Sequence, residues 1–258
     1  MHIRVINPNT TESMTALIEA SARTATGPGT FVDAVTSIMG PASIESHYDE
    51  ALAVPGLLAA VADGERSGID GYVVACFGDP GLDAARELAA GPVVGIAEAA
   101  MHTATLLGRG FSVVTTLERT RGRARDLAER YVASGACKGV HACDIPVLDL
   151  EGDPAVLKRV VELARGALDR DGSDVIVLGC AGMADLCTAA TAELGVPVID
   201  GVAAATVLVQ SLITLGLHTA KQAEYATPPA KAYTGLLEAF RPDGPALARL
   251  TRRREVGA

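Results

Sequence analysis

The chain has 258 residues and a formal net charge of −9, with 49% hydrophobic residues, only 3% aromatic ones and no Trp. This is long enough for a large core built from Ala, Val, Leu and Ile, which favours parallel strands under Ala-rich helices. The acidic balance argues against nucleic acid as a partner. The Arg-rich end (Arg249, Arg252, Arg253, Arg254) reads as a solvated tail.

Strand and helix signals alternate from the start. HIRVIN reads as a strand and NPNTTESM as a turn with a helix cap at Thr10 or Thr11. The pattern predicts a helix over 13–23, a strand over 31–35, a Gly-Pro loop at MGPASIES and a helix over 50–67. The apolar run YVVAC, Tyr72 to Cys76, is the next strand. A helix, the short strand PVVGI from Pro92 and a helix over 98–107 follow.

At Phe111 the pattern restarts, with FSVVTT in the place of the first strand and its turn. A basic-acidic helix over 119–133 and a strand over 140–143 come next. A helix over 153–170 follows, with Asp153 as cap and Pro154 as its first helical position. VIVLGC then ends in Cys180, followed by PVID and an apolar helix from Gly201. The longest uncharged stretch, 201–217, contains Gln210, Ser211 and Thr214 and suits a buried helix better than a membrane span. No signal-peptide pattern opens the chain, so a cytoplasmic protein with reduced thiols is expected.

The same order of elements thus occurs twice, which predicts an α/β protein of two pseudo-symmetric, doubly wound lobes with parallel sheets. The division reads as 1–98 with 207–258 for the first lobe and 99–206 for the second, the C-terminal helices returning over the first. Ligands gather at the carboxyl ends of strands in such sheets, so the site is expected between the lobes.

Cys76 and Cys180 stand at equivalent strand ends, each with a glycine two residues on, Gly78 and Gly182. A lone Cys in this setting is ordinarily a small buried hydrophobe. Its repetition in a duplicated unit points to catalysis. Cys137, Cys143 and Cys187 lack the symmetry and read as packing or surface residues. Gly-containing turns and helix starts after Cys76 and Cys180 predict accessible thiolates. One thiol as base and the other as acid, on opposite faces of a carbon, would invert it. The substrate oxygen then needs donors, for which the amides around Phe77, Gly78 and Asp79, and around Ala181, Gly182 and Met183, are candidates with Thr115 or Thr116. Asn7, Asn9 and Ser43 are candidate ligand contacts, each against an ordinary role in a turn. Asp79 is open between ligand contact and helix cap. Asp200 reads as a cap.

A cysteine-hydrolase reading needs a histidine, from His102, His141 or His218, and no spacing demands one of them. A two-lobed binding protein without catalysis would need no thiols at strand ends. No C-x-x-C, G-x-G-x-x-G, P-loop or aldimine-lysine context is present, so disulfides, zinc, nucleotides and other cofactors are not expected.

The segments INPNTT, GPASIE, GLDAAREL after the Cys76 strand, PVVGIAEAA, VVTTLERT, IPVLDLE, VLGCAGMADL and GVPVIDGVAAA resemble the hydantoin and allantoin racemase family, within the Asp/Glu racemase superfamily. The resemblance runs from Ile3 to about Leu217. It implies two α/β lobes, an interlobe site, catalytic cysteines at Cys76 and Cys180, a cyclic ureide substrate, no cofactor and a homo-oligomer between dimer and hexamer. Amino-acid racemases of the superfamily typically place Asn-Thr after each Cys to hold an α-carboxylate, whereas Phe77-Gly78 and Ala181-Gly182 stand here. FGDPG after the first Cys is more similar to the allantoin racemases than the FDDTG of hydantoin-processing members. Other activities of the superfamily (amino-acid racemase, decarboxylase, maleate-type isomerase) are the alternative.

Overall fold

A computed structural model describes residues 1–150 and 154–242. Four strands, β1 (His2–Asn7), β2 (Phe31–Thr36), β3 (Gly71–Val74) and β4 (Val93–Gly95), form a parallel sheet in the order β2-β1-β3-β4. A second set, β5 (Phe111–Thr115), β6 (Cys137–Ala142), β7 (Val175–Gly179) and β8 (Val198–Ile199), repeats that order as β6-β5-β7-β8, also parallel. Both β3 and β7 are buried along their whole length, which is why they read as unbroken apolar runs.

Helices α1 (Glu12–Ala25), α2 (His47–Ser67), α3 (Leu82–Leu88) and α4 (Ile96–Leu107) belong to the first repeat of elements. Helices α5 (Arg121–Tyr131), α6 (Pro154–Asp171), α7 (Cys187–Leu194) and α8 (Gly201–Thr214) belong to the second. Ser46 caps α2, its hydroxyl accepting from Asp49 N at 3.1 Å. The last helix of each repeat crosses to the other sheet: α4 packs on β5 and β7, and α8 on β1, β3 and β4. One core therefore runs through both halves, with Val5, Val73, Met101, Val113, Val177, Val202 and Val209 all buried in it. The boundaries drawn from the sequence at 98/99 and 206/207 fall inside these two crossing helices.

The expected C-terminal helices are not present among the described residues beyond α8. Only 3-10 turns occur, at Ala223–Tyr225 and Gly235–Phe240. Pro228 and Pro229 lack amide hydrogens and clash with a preceding helical turn, so this stretch cannot continue a helix. The chain does return to the first half, but as irregular structure: Thr219 Oγ1 donates to Gly91 O at 2.9 Å, Lys221 Nζ to Glu87 O at 3.1 Å and Tyr225 OH to Asp83 Oδ1 at 3.0 Å. Strand β6 starts at Cys137, earlier than its apolar residues suggest, through an irregular register opposite Phe111 and Ser112. Asp153 and the Arg-rich tail lie outside the described residues. No described helix is long and apolar enough to cross a membrane.

Candidate active site

The carboxyl ends of β3, β5 and β7 face one cleft of about 710 Å³, its open mouth included, which suits a small metabolite. Cys76 and Cys180 both line it, one from each half. Of the other residues singled out in the sequence, Asn9, Phe77, Gly78, Thr115, Thr116 and Ala181 also line it. Asn7, Ser43, Asp79 and Gly182 lie outside its wall.

Each of those four has an identifiable place. Asn7 is fully buried and holds the turn after β1 together, its Nδ2 donating to Asn9 Oδ1 at 2.8 Å and Thr15 Oγ1 at 3.0 Å. Asn9 Oδ1 also accepts from Thr11 N at 2.9 Å, while its Nδ2 meets only the weak acceptor Met14 Sδ at 3.1 Å within the protein. The Asn9 amide group is thus the one able to donate to a ligand. Ser43 lies in a loop tied to the same turn by Thr10 N to Pro41 O, 3.0 Å, and Thr11 Oγ1 to Ala42 O, 2.8 Å. Its neighbours Ile44 and Glu45 reach the cleft.

Asp79 is a helix cap. It is buried, has a positive φ of 44°, and accepts from Ala97 N at 3.1 Å and Glu98 N at 2.9 Å, the first free amides of α4. Gly95, which precedes α4, has no side chain to do this, and a Cβ there would lie 2.3 Å from the Asp79 carboxyl carbon. Burial pushes the Asp79 carboxyl up to about 7, against the pull of those two amides. Asp200 caps α8 directly, accepting from Val202 N at 2.8 Å, as the sequence indicated.

Both cysteines are half-buried in the wall of the cleft. The amide of Gly78 supports a thiolate at Cys76, and that of Gly182 does so at Cys180. A Cβ on Gly182 would come within 3.6 Å of the Cys180 sulfur. These amides do not prevail. Burial holds the Cys180 thiol up at about 12 and the Cys76 thiol higher still. The charges of Glu50, Cys180 and Asp79 add to the effect at Cys76, and those of Cys143 and Glu45 at Cys180. In the free protein burial thus works against the thiolates expected from the sequence. A helix start does not help Cys76, because α3 begins only at Leu82 and a helix dipole acts over its first turn. A 3-10 helix, Ala181–Leu186, follows Cys180 directly.

Thr115 Oγ1 lies 3.0 Å from Thr120 Oγ1 and 3.3 Å from Gly179 O, which joins the ends of β5 and β7. Cys143 and Cys187 are buried and Cys137 is half-buried. None of His102, His141 and His218 lines the cleft. His141 is paired with Asp171 at 2.6 Å instead, so none of these three can serve the hydrolase reading, and the histidine that does line the cleft is His47, which the sequence did not single out. Among the described residues, no three His, Cys, Asp or Glu side chains converge as metal ligands.

The charged part of the cleft escaped the sequence reading. Glu45 enters it from the loop before α2, His47 and Glu50 from the first turn of α2, Arg119 from a 3-10 turn before α5 and Arg123 from the start of α5. Arg123 Nε lies 3.3 Å from Glu50 Oε2, and Glu45 Oε1 accepts from Val147 N at 2.8 Å, so both carboxylates meet the opposite half. Burial raises the Glu50 carboxyl, with Arg123 and His47 opposing. The one available signal was the spacing of Arg119 and Arg123, four residues apart just after the Thr115-Thr116 strand end.

The Asp/Glu/Hydantoin racemase family model matches residues 3–209. The hydantoin racemase of Rhizobium meliloti is 48% identical over 239 residues, 91% of this chain and 98% of that protein. That of Pseudomonas sp. (strain NS671) is 44% identical over 93% of this chain and 97% of its own. Among solved structures, an allantoin racemase from Klebsiella pneumoniae superposes with a TM-score of 0.91 at 51% identity, covering 94% of this chain and 99% of that one.

Proposed function

The chain belongs to the Asp/Glu/hydantoin racemase family, and on that premise we propose that it inverts C5 of a 5-substituted hydantoin ring, allantoin included, by proton exchange between two thiols and without a cofactor. The observation that carries this reading is that Cys76 and Cys180 end equivalent strands and line one cleft from opposite halves.

In the proposed reaction one sulfur, as thiolate, removes the C5 proton. The electron pair moves into the ring as an enolate on the C4 oxygen. The other sulfur, still protonated, returns a proton to the opposite face of C5 and becomes the thiolate. The two sulfurs have then exchanged states, which suits a substrate and product that are mirror images. The enolate is the costly species. A well-placed donor to such an oxygen contributes about 3–4 kcal/mol, and the groups available are main-chain amides next to each Cys and the Thr116 hydroxyl, or that of Thr115 if it turns from Gly179 O. The Asn9 amide, which lines the cleft, is the proposed partner for the polar edge of the ring.

A neutral ring fits the residues that follow each Cys. Phe77-Gly78 and Ala181-Gly182 bring no side-chain hydrogen bonds for an α-carboxylate. The competing reading, an amino-acid racemase, draws on Arg119 and Arg123 in the cleft, but Arg123 is already engaged with Glu50. Assembly as a homo-oligomer in the cytoplasm belongs to the same proposal. Exposed Leu106, Leu107, Leu215 and Leu217 favour the first part, which light scattering measures.

Cys76→Ser and Cys180→Ser, followed in deuterated water with each enantiomer of a hydantoin and with aspartate and glutamate, test the reading. Each single variant is expected to lose net inversion of the hydantoin, and aspartate and glutamate to stay unchanged. Racemisation of the hydantoin at the parent rate by both variants would end the two-thiol proposal.

A further inference from the structure

Resting on the function just proposed, we infer that Glu50 and Arg119 determine specificity at the C5 substituent, selecting a neutral group that both donates and accepts hydrogen bonds, a ureido group, over a hydrocarbon one. The starting point is Gly78. A Cβ at this position would lie 2.4 Å from Glu50 Oε1, so the bare glycine lets the Glu50 carboxylate lie over the turn that carries Cys76. Glu50 stays there because Arg123 holds its other oxygen, Oε2. Glu50 lines the cleft, and its Oε1 accepts no hydrogen bond among the described residues.

Arg119 is the complement. It also lines the cleft, is exposed at its mouth, and makes no hydrogen bond or ion pair among the described residues. Of the other charged groups, Arg123 is held by Glu50 and Gly78 O, Glu45 Oε1 accepts from Val147 N and its charge acts on Cys180, and His47 stands 4.0 Å from Glu50 Oε2. Glu50 and Arg119 thus offer a ligand in this cleft one carboxylate oxygen and one guanidinium.

A ureido substituent offers N–H groups to the first and a carbonyl oxygen to the second. A benzyl or alkyl substituent would displace water from both charges and replace none of their hydrogen bonds, which is unfavourable. A carboxylate substituent would pair with Arg119 but face Glu50, a like charge. Sites built to hydrogen-bond a substrate group discriminate strongly against analogues that lack it.

The test compares kcat/KM for allantoin (the 5-ureido ring), 5-benzylhydantoin and 5-carboxymethylhydantoin in the full chain and in Glu50→Leu and Arg119→Met. The parent is expected to prefer allantoin. The allantoin-to-benzyl ratio is expected to fall about tenfold or more in each variant, and the carboxymethyl ring to gain on the other two in Glu50→Leu. An unchanged ratio in both variants, with an active parent, overturns the inference and leaves the racemase reading standing. A parent inactive on all three rings overturns the racemase reading itself. If Glu50→Leu is inactive on every ring, the ratio in Arg119→Met decides, since that exposed side chain supports no described contact.

Discussion

Arg123 donates to the Gly78 carbonyl through two nitrogens, Nε at 3.1 Å and Nη2 at 2.6 Å. The guanidinium thereby fixes α5 of one half to the turn after Cys76 in the other, and it holds Glu50 in the same grip. Hydrogen bonds from charged donors contribute about 1.5–3 kcal/mol each when shielded, and less here because Arg123 is partly exposed. Arg123→Met is therefore expected to lower kcat/KM by roughly tenfold, equivalent to about 1.4 kcal/mol, with the far-UV circular dichroism spectrum unchanged. Polarimetry gives the rate. A variant with parent kinetics would remove Arg123 from the account of how the Cys76 turn is positioned.

The two half-buried thiols make a prediction about pH. With Cys180 held up at about 12 and Cys76 also raised, both are neutral at pH 7, and the thiolate fraction rises about tenfold per pH unit below the pKa. Alkylation of the free protein by iodoacetamide, read at each cysteine by peptide mass spectrometry, is expected to be much slower at Cys76 and Cys180 than at an ordinary thiol at pH 7. It should then climb about tenfold per unit through pH 9. Fast, pH-independent labelling at either position would show a thiolate already present, and the stated effect of burial would be wrong.

The alternation of elements was legible because parallel strands buried on both faces appear as unbroken apolar runs, as at YVVAC and VIVLG. The two cysteines were legible because the sequence repeats them. Glu50, Arg119 and Arg123 were not, since charges on a helix have the same pattern whether they face water or a polar cleft. Asp79 stood undecided for a different reason. It caps a helix that begins seventeen residues later, and capping patterns in sequence are local ones. The crossing of α4 and α8 between the sheets leaves no trace in periodicity, which reports an apolar face and not the partner that covers it. Helices were expected to continue through the stretch after α8, where Pro228 and Pro229 carried the contrary signal.

Gly95 and Asp79 occupy adjoining space, so Gly95→Ala is expected to destabilise the fold. The new Cβ would sit 2.3 Å from Asp79 Cγ and Oδ1 and must expel the carboxylate from the start of α4. Loss of the cap and the accompanying strain together cost roughly 2–4 kcal/mol. Urea unfolding measures this directly. A midpoint within error of the parent would mean that Asp79 moves aside freely and that α4 does not depend on it.

The Asp79 carboxyl also sets the shape of stability against pH. Its folded value, about 7, is above the ordinary carboxylate value near 4. Between these two pH values the folded chain retains a proton that the unfolded chain has released. The proton-linked part of the Asp79 contribution to stability is therefore fully present below pH 4, declines as pH rises, and is gone above about 7. Asp79→Asn cannot ionise and escapes that decline, though it gives up the carboxylate's second acceptor oxygen for the amides of Ala97 and Glu98. The melting temperature of Asp79→Asn minus that of the parent should accordingly increase from pH 4 to pH 7 and level off above. Curves that run parallel over this range would mean that Asp79 ionises as readily in the folded chain as in water, and that the amides at the start of α4 outweigh its burial.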